Sequence, residues 1–332
     1  FDQDFGMGWK FTFDALYSKQ LNNVFFNNLA IESNNVVYAV NSSTGPAAPY
    51  YTKINKDYSA IVALTNTNKG YAYSFSGQLQ KHFNFGLDLM ASYTYGHSYS
   101  VNDGTSSVAY SNWKYNYSVD TNGPEMSYSM FDKPHKIMGV ISYTSPVYAR
   151  MQTTVALTYE ASSGQRFSYT MNEQADFNGD GQKGNSLLYI PTVDQISQMS
   201  WASPADAAKF ESYIRSDKYL ANNRGQWAER MLGIAPFEHH FDLHIAQDFF
   251  YDKKSGRKIQ AVVDFMNISN LLNRNWGLYY SAAYNMQILN VTELNKDAKG
   301  NYVPTYKFEG NTVNISDFYS RWRCQVGLRV TF

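Results

Sequence analysis

The chain has 332 residues, long enough for one large domain or two small ones. Lys+Arg and Asp+Glu are both 28, so the formal net charge is zero, which argues against a nucleic-acid partner, since nucleic acid selects a basic face. No apolar run reaches the roughly 18 residues of a transmembrane helix, and a lone cysteine, Cys324, cannot close an intrachain disulfide. What stands out is the aromatic content, 17%, carried by 28 Tyr and 21 Phe in a chain whose mean hydropathy is −0.45. Rings spaced as in strands within a polar average suit a wall in which every second residue faces water.

The first predicted strand covers residues 5–18. Phe5, Met7, Trp9, Phe11, Phe13, Ala15 and Tyr17 alternate there with Gly6, Gly8, Lys10, Thr12, Asp14, Leu16 and Ser18. Asn/Ser/Gly/Pro-rich sequence through Pro49 reads mostly as loop. Alternation returns at Tyr71, Tyr73, Phe75, Gly77 and Leu79, and a tight connection over residues 81–84 leads into Phe85, Leu87, Leu89, Ala91, Tyr93 and Tyr95. Residues 101–129 are polar, with Asn102-Asp103-Gly104 and Asn122-Gly123-Pro124 as turn signals. Residues 135–144 form a strand apolar on both faces in places. Ser145-Pro146 marks a turn, and Met151, Thr153, Val155, Leu157 and Tyr159 resume the alternation.

The longest predicted loop runs over residues 163–236. Within it Ser203-Pro204-Ala205-Asp206 reads as an N-cap, a first-turn proline and an acidic third residue, and Ala207, Phe210 and Ile214 follow at helical spacing, predicting a short helix over 204–215. Phe237 to Phe249 is a strand with Glu238, His240, Asp242, His244, Ala246 and Asp248 on its polar side. A turn over 251–256 returns the chain through Ile259, Ala261, Val263 and Phe265. Residues 273–317 read as loop with short strands, best at 277–289. The last strand, 320–332, carries Trp322, Cys324, Val326, Leu328, Val330 and Phe332 on one face and Arg321, Arg323, Gln325, Gly327, Arg329 and Thr331 on the other.

These segments amount to about eight strands of membrane-crossing length. Short turns near 82, 146 and 253 alternate with long loops over 20–68, 102–129, 164–235 and 273–316, the asymmetry of an outer-membrane barrel with the short turns on the periplasmic side. A soluble sheet with an amphipathic edge strand accounts for the last segment alone but gives no reason for that asymmetry. The expected fold class is therefore all-β, a transmembrane antiparallel β-barrel.

Several patches in order resemble a known family. Asn66-Thr67-Asn68-Lys69-Gly70-Tyr71, Phe131-Asp132-Lys133-Pro134-His135-Lys136, the loop from Asp176-Phe177-Asn178-Gly179-Asp180-Gly181 to Tyr189-Ile190-Pro191, the run Asp264-Phe265-Met266-Asn267-Ile268-Ser269-Asn270-Leu271-Leu272-Asn273, and Ser320-Arg321-Trp322-Arg323 through Phe332 are similar to the C-terminal barrel half of TonB-dependent outer-membrane transporters, nearest to Oar-like receptors of Bacteroidota. The resemblance implies a barrel of the 22-strand type, with residues 1–332 forming its last part of about eight strands. The plug, the TonB box and the earlier strands have no counterpart in these residues, and no leader peptide opens the sequence, so a longer polypeptide is expected. The implied location is the bacterial outer membrane. The implied partners are the remaining strands and plug, TonB, outer-membrane lipid and lipopolysaccharide, and a surface lipoprotein or other subunits of an outer-membrane complex. The implied role is uptake of a scarce solute. The alternatives are a transporter-like barrel serving as a structural or partner-binding subunit, and an independent small barrel.

Asp176, Asn178 and Asp180 stand at the first, third and fifth places of a D-x-N-x-D-G loop, with Gln182 able to add a backbone carbonyl. This is the front half of a calcium loop, yet the twelfth place is Leu187 where a bidentate Glu is usual, and an Asx-rich turn explains the same residues. His240 and His244 share a face but lie about 13 Å apart along a strand, too far for one ion, and His239 points the other way. Lys10, Asp14, Asp242, Asp264, Arg321, Arg323 and Arg329 fall on the water-facing side, where they line a solute path, contact a plug, or are simply solvated. No nucleophile–base spacing, phosphate loop or zinc signature is present, so catalysis has no sequence support and no enzyme is expected.

Overall fold

A computed structural model describes residues 1–41, 45–55, 57–123, 125–252 and 254–332. Pro124 of one expected turn, Lys253 of another, and residues 42–44 and 56 of the first expected loop lie outside the described residues. The alternating segments build a ten-stranded antiparallel sheet in which the two-residue strand Ser127–Tyr128 lies off the main path. We number the other strands in chain order: β1 (Asp2–Gly6), β2 (Trp9–Lys19), β3 (Tyr71–His82), β4 (Leu87–Ser100), β5 (His135–Thr144), β6 (Gln152–Ser162), β7 (Glu238–Phe249), β8 (Lys258–Met266) and β9 (Arg323–Thr331). They lie side by side in that order, each pairing only with its chain neighbours. The sheet is open: β1 pairs with β2 alone and β9 with β8 alone.

Period-two sequence produces a sheet with two unlike faces because the register never slips between β2 and β9. Lys10, Gln80, Met90, Val140, Thr158 and Asp242 are consecutive cross-strand partners. The adjacent row, Phe11, Leu79, Ala91, Gly139, Tyr159 and Phe241, lies on the opposite face, and Val155, Ile245, Val263 and Val326 continue that apolar face to the last strand. Nothing covers it. Ile141 is 52% exposed, and Val326 and Leu328 are each 73% exposed. Rings gather near both ends of this face: Tyr71 against Tyr99 at 4.7 Å and Tyr159 against Phe241 at 4.7 Å toward the long loops, with Trp9, Tyr143 and Phe249 toward the short turns.

The register also settles the strand whose facing the sequence leaves open. Ile137, Gly139, Ile141 and Tyr143 of β5 are partnered with apolar-face residues, and Lys136, Met138, Val140 and Ser142 with polar-face residues. One expected strand is two. Residues 5–18 are cut at Met7-Gly8, which pass from Gly6 to its partner Trp9. Met7 and Gly8 both have positive φ, as a two-residue hairpin turn with right-handed strand twist requires, and so does Gly6, where the register of the pairing shifts. A Cβ at Gly8 would collide with the backbone carbonyl of His82. The alternation across the turn is thus accidental, and β1 is a short strand beside the eight long ones. The second turn lies at 83–86, since β3 runs on to His82, and the last strand begins at Arg323.

The larger departure from expectation is in the long loops. Residues 20–49 are not mostly loop: they hold the strands Asn23–Asn28, Ile31–Tyr38 and the start of Ala47–Lys53. In the fourth connection the strands are Asn285–Lys296 and Tyr302–Phe308, later than 277–289. Three connections that leave the same end of the wall pool their strands into one seven-stranded mixed sheet. Its order is Gly233–Ile234, Arg166–Glu173, Asn285–Lys296, Tyr302–Phe308, Ile31–Tyr38 and Ala47–Lys53, with Ser200–Trp201 beside Tyr302–Phe308. Arg166–Glu173 runs parallel to Asn285–Lys296, a pairing that no local hairpin can make. The helix Pro204–Ser216 is where the sequence puts it, and it buries Phe210 and Ile214 against Trp201 and Phe308. Its Ser203 hydroxyl donates to the Asp206 carboxylate at 2.7 Å and caps no backbone amide. Phe177, Met171, Leu188, Ile190, Ile288 and Tyr306, all under 2% exposed, complete a core that belongs to the loops alone. Among the described residues no helix is long and apolar enough to cross a membrane.

Candidate functional site

The residues with chemical potential lie in two places, the polar face of the wall and the cap that the loops build over its end. On the polar face Lys10 pairs with Asp2 at 3.7 Å, both largely exposed, and Asp14 stands opposite Ser76. Asp264 meets His244 Nδ1 at 2.6 Å. Asp242 Oδ1 accepts the backbone N–H of Asn267 at 2.7 Å, so it holds the end of β8 in place as well as facing the wall's polar side. Arg329 donates to Gln260 at 3.4 Å, and Arg323 lies 4.9 Å from the Phe318 ring. Arg321 follows the short helix Asp317–Ser320 and precedes β9, so the pleat does not set its direction. Lys136 and Glu160, absent from the expected set, form a further pair at 3.0 Å. The expected polar residues in the strands thus share a face, spread over rows and drawn to separate partners. The three histidines of β7 likewise part company. His239 meets the Tyr159 hydroxyl at 2.8 Å, His240 stacks on Tyr279 at 3.8 Å, and His244 has Asp264.

The cap is joined to the wall by buried polar groups. Asp132, from the Phe131–Lys136 patch, receives Arg166 Nε at 2.6 Å, His97 Nδ1 at 3.1 Å and the backbone N–H of Ser98 at 2.7 Å. The Arg166 guanidinium also lies 3.8 Å from the Tyr128 ring and donates to the Met231 carbonyl at 3.0 Å. Both side chains are almost fully buried, at 5% and 1% exposure, so each ion depends on the other. Arg230 makes a second such anchor, donating to the Ser100 carbonyl at 2.5 Å with Asp103 at 3.6 Å. Burial lowers its pKa, while Asp103 and Glu125 oppose that fall. A third anchor is Asn267, in the left-handed conformation at φ 53. Its amide donates to Gly277 O at 2.7 Å and to Ser320 O at 2.8 Å, tying the fourth connection at both ends.

In the D-x-N-x-D-G loop every carboxylate oxygen already holds a donor. Asp176 accepts the backbone N–H groups of Gly179 at 2.8 Å and Gly181 at 2.7 Å. Asp180 accepts Gln182 N at 2.7 Å on one oxygen, and on the other the Thr121 hydroxyl at 2.6 Å and the amides of Asn185 at 2.9 Å and Asn178 at 3.2 Å. Glu173, which the sequence does not single out, accepts Phe177 N at 2.9 Å and Ser186 N at 3.3 Å. Burial pushes the Glu173 carboxyl up to about 8. Burial and the Asp180 charge push Asp176 to about 6. Among the described residues no group of three or more His, Cys, Asp or Glu side chains converges as a metal would need.

By sequence, residues 176–191 and the helix over 204–215 are the part of the long loops expected to contact a ligand or partner. The structure buries the first of these instead: Asn178, Asp180, Leu187, Leu188, Tyr189 and Ile190 are at most 3% exposed and wall the cap core. Only Gly181 and Lys183 of that segment are exposed. The segment is apolar at Leu187-Leu188-Tyr189-Ile190, a run that carries the burial signal, whereas the Asx pattern before it reads as surface. No family model, no curated protein and no solved structure matches the chain.

Proposed function

We propose that the chain is part of the wall and outer cap of an outer-membrane β-barrel of the TonB-dependent transporter kind, and that it admits a scarce solute to the periplasm. The observation that carries this reading is the uncovered apolar face, continuous from β2 to β9 and backed by an equally continuous polar one. An apolar patch of that extent is costly in water and suits hydrocarbon. From His135 to Tyr143, ring to ring along β5, is about 26 Å at ~3.3 Å per residue, which a strand tilted by about 40° shortens to ~20 Å, somewhat below the apolar height of about 25 Å in such barrels. The long connections leave one end and the short turns the other, as surface loops and periplasmic turns do. The open edges of β1 and β9 call for further strands, because an unpaired edge in lipid leaves each backbone group several kcal/mol short.

The test compares neighbours on β9. Val326→Arg puts a cation on the apolar face and is expected to cost about 2–4 kcal/mol and to lower the amount of membrane-embedded protein, whereas Gln325→Arg, on the polar face, is tolerated. Equal tolerance of both would remove the membrane reading. Uptake assays with peptides, glycans and metal chelates then separate solute import from the second reading, a barrel that serves as a structural or partner-binding subunit. The second reading is favoured by one feature: the loops spend their apolar residues on a core of their own, as a rigid docking module does.

Calcium at Asp176, Asn178, Asp180 and Gln182 is a separate proposal carried by their spacing. Ion binding there must displace Thr121, Asn178 or Asn185 from Asp180. A rise in the cap's unfolding midpoint with calcium, absent in Asp180→Asn, supports it; an unchanged midpoint leaves a loop held by its own hydrogen bonds.

A further inference from the structure

The apolar face of the wall does not end evenly at the long-loop end. Where β6 and β7 reach it, a cavity of about 460 Å³ opens beside Tyr159, Phe237, His239 and Phe241, and the segment after β8 closes its far side with Trp276 and Leu278. That volume is within the range of about 300–1,000 Å³ that small ligands occupy. We propose that this groove binds one acyl chain of a membrane lipid, an inference that rests on the membrane reading above.

The groove's far side is held in place by hydrogen bonds that leave Trp276 outside. The helix Ile268–Leu272 begins at the left-handed Asn267, whose amide grips Gly277 O at 2.7 Å, and Gly277 itself has φ +62 with no room for a Cβ against Asn267. Asn270 donates to Arg274 O at 3.2 Å and to Trp276 O at 3.0 Å, and Trp276 N donates to Asn273 O at 2.9 Å. These bonds fix the backbone of an indole that is nonetheless 55% exposed, and Leu272 of the same connection is 73% exposed. A large ring held rigid and left outside is a costly arrangement in water and a favourable one at a membrane interface.

The lining decides the chemistry of the occupant. No Asp, Glu, Lys or Arg is among the described residues that line the cavity, and of its polar groups Tyr159 and His239 are joined at 2.8 Å while the Ser269 hydroxyl donates to Asn267 at 2.8 Å, which leaves the Tyr280 hydroxyl and the Asn275 amide. A buried charged head would therefore be unmatched, while a hydrocarbon chain needs no partner. The strand side of the groove is the upper edge of the apolar face, so a chain leaving it passes directly onto the wall's hydrocarbon-facing surface. Asn275 at the rim and the exposed Arg274 before it are the polar groups nearest to where a headgroup would stand.

The test uses the full chain in lipid nanodiscs, with a lysophospholipid brominated in mid-chain as probe and Trp276 fluorescence isolated as the difference between the wild type and Trp276→Phe. The expected result is saturable quenching of Trp276 at probe levels where Trp9, on the same face near the short turns, is quenched only in proportion to bulk lipid. Leu278→Glu, at a half-buried position of the loop, should abolish the saturable component. Quenching of Trp276 that is linear like that of Trp9, or saturable but unchanged by Leu278→Glu, would overturn the groove and leave the membrane reading standing. Quenching of Trp9 without any at Trp276 would show the groove covered by protein and overturn it as well. Absence of quenching at both tryptophans would overturn the membrane reading together with the groove.

Discussion

Asp132 shows how much one carboxylate can organise: it faces a cation from the cap, an imidazole from β4 and a backbone amide of the same strand. Because it and Arg166 are shut away from water, Asp132→Asn leaves a buried guanidinium without its counter-ion. The expected cost is about 3–5 kcal/mol, read as a lower unfolding midpoint and as protease cleavage within residues 163–237. Glu173 sets a different dependence. Its folded pKa, about 8, is above the ordinary 4.5, so the folded state binds its proton more tightly than the unfolded one. That contribution is complete below about pH 4.5 and is lost as pH rises through about 8, and Asp176, raised to about 6, acts in the same direction. Cap stability is therefore expected to fall between pH 5 and 8 by more than the wall's, and Glu173→Gln should flatten that fall when midpoints are measured across the range.

At the scale of elements the same chain carries two kinds of sheet with different stabilising terms. A wall strand gains its hydrogen bonds from sequence neighbours and presents its apolar side outward, so its packing depends on what surrounds the protein. A cap strand is held by distant residues and by a closed core. The Pro204–Ser216 helix ties these together through Phe210, which is fully buried between Trp201 and Phe308. Phe210→Ala should cost about 3–5 kcal/mol of cap stability. Hydrogen exchange should show the loss in Arg166–Glu173, Asn285–Lys296 and Tyr302–Phe308, while β2 to β9 keep their protection. Loss of protection in the wall as well would show that the two sheets fold as one unit.

For the whole molecule the open sheet is the governing fact. β1 and β9 each present a row of unpaired backbone groups, and β9 is nine residues long with its apolar side largely exposed. The 332-residue chain folded alone in detergent is expected to associate edge to edge, seen as a broad distribution in analytical ultracentrifugation, and to become a single species when a polypeptide supplying the flanking strands is present. A sharp monomer of the chain alone would count against an incomplete wall.

The sequence by itself determined the wall: its all-β class, the eight long strands, the two unlike faces and the alternation of short turns with long connections. Each rests on local facts, the two-residue period and turn chemistry, which need no knowledge of distant partners. It also marked the Pro204–Ser216 helix, whose start is written in adjacent residues. The split at Met7-Gly8 escaped because the alternation happens to continue across the turn. The cap escaped for a deeper reason: Arg166–Glu173 beside Asn285–Lys296, and Asp132 beside Arg166, join residues far apart along the chain, and no local pattern records such pairing. Which polar residues are surface and which are core, the Asp176 loop above all, was decided only when three connections closed over it and took it out of water.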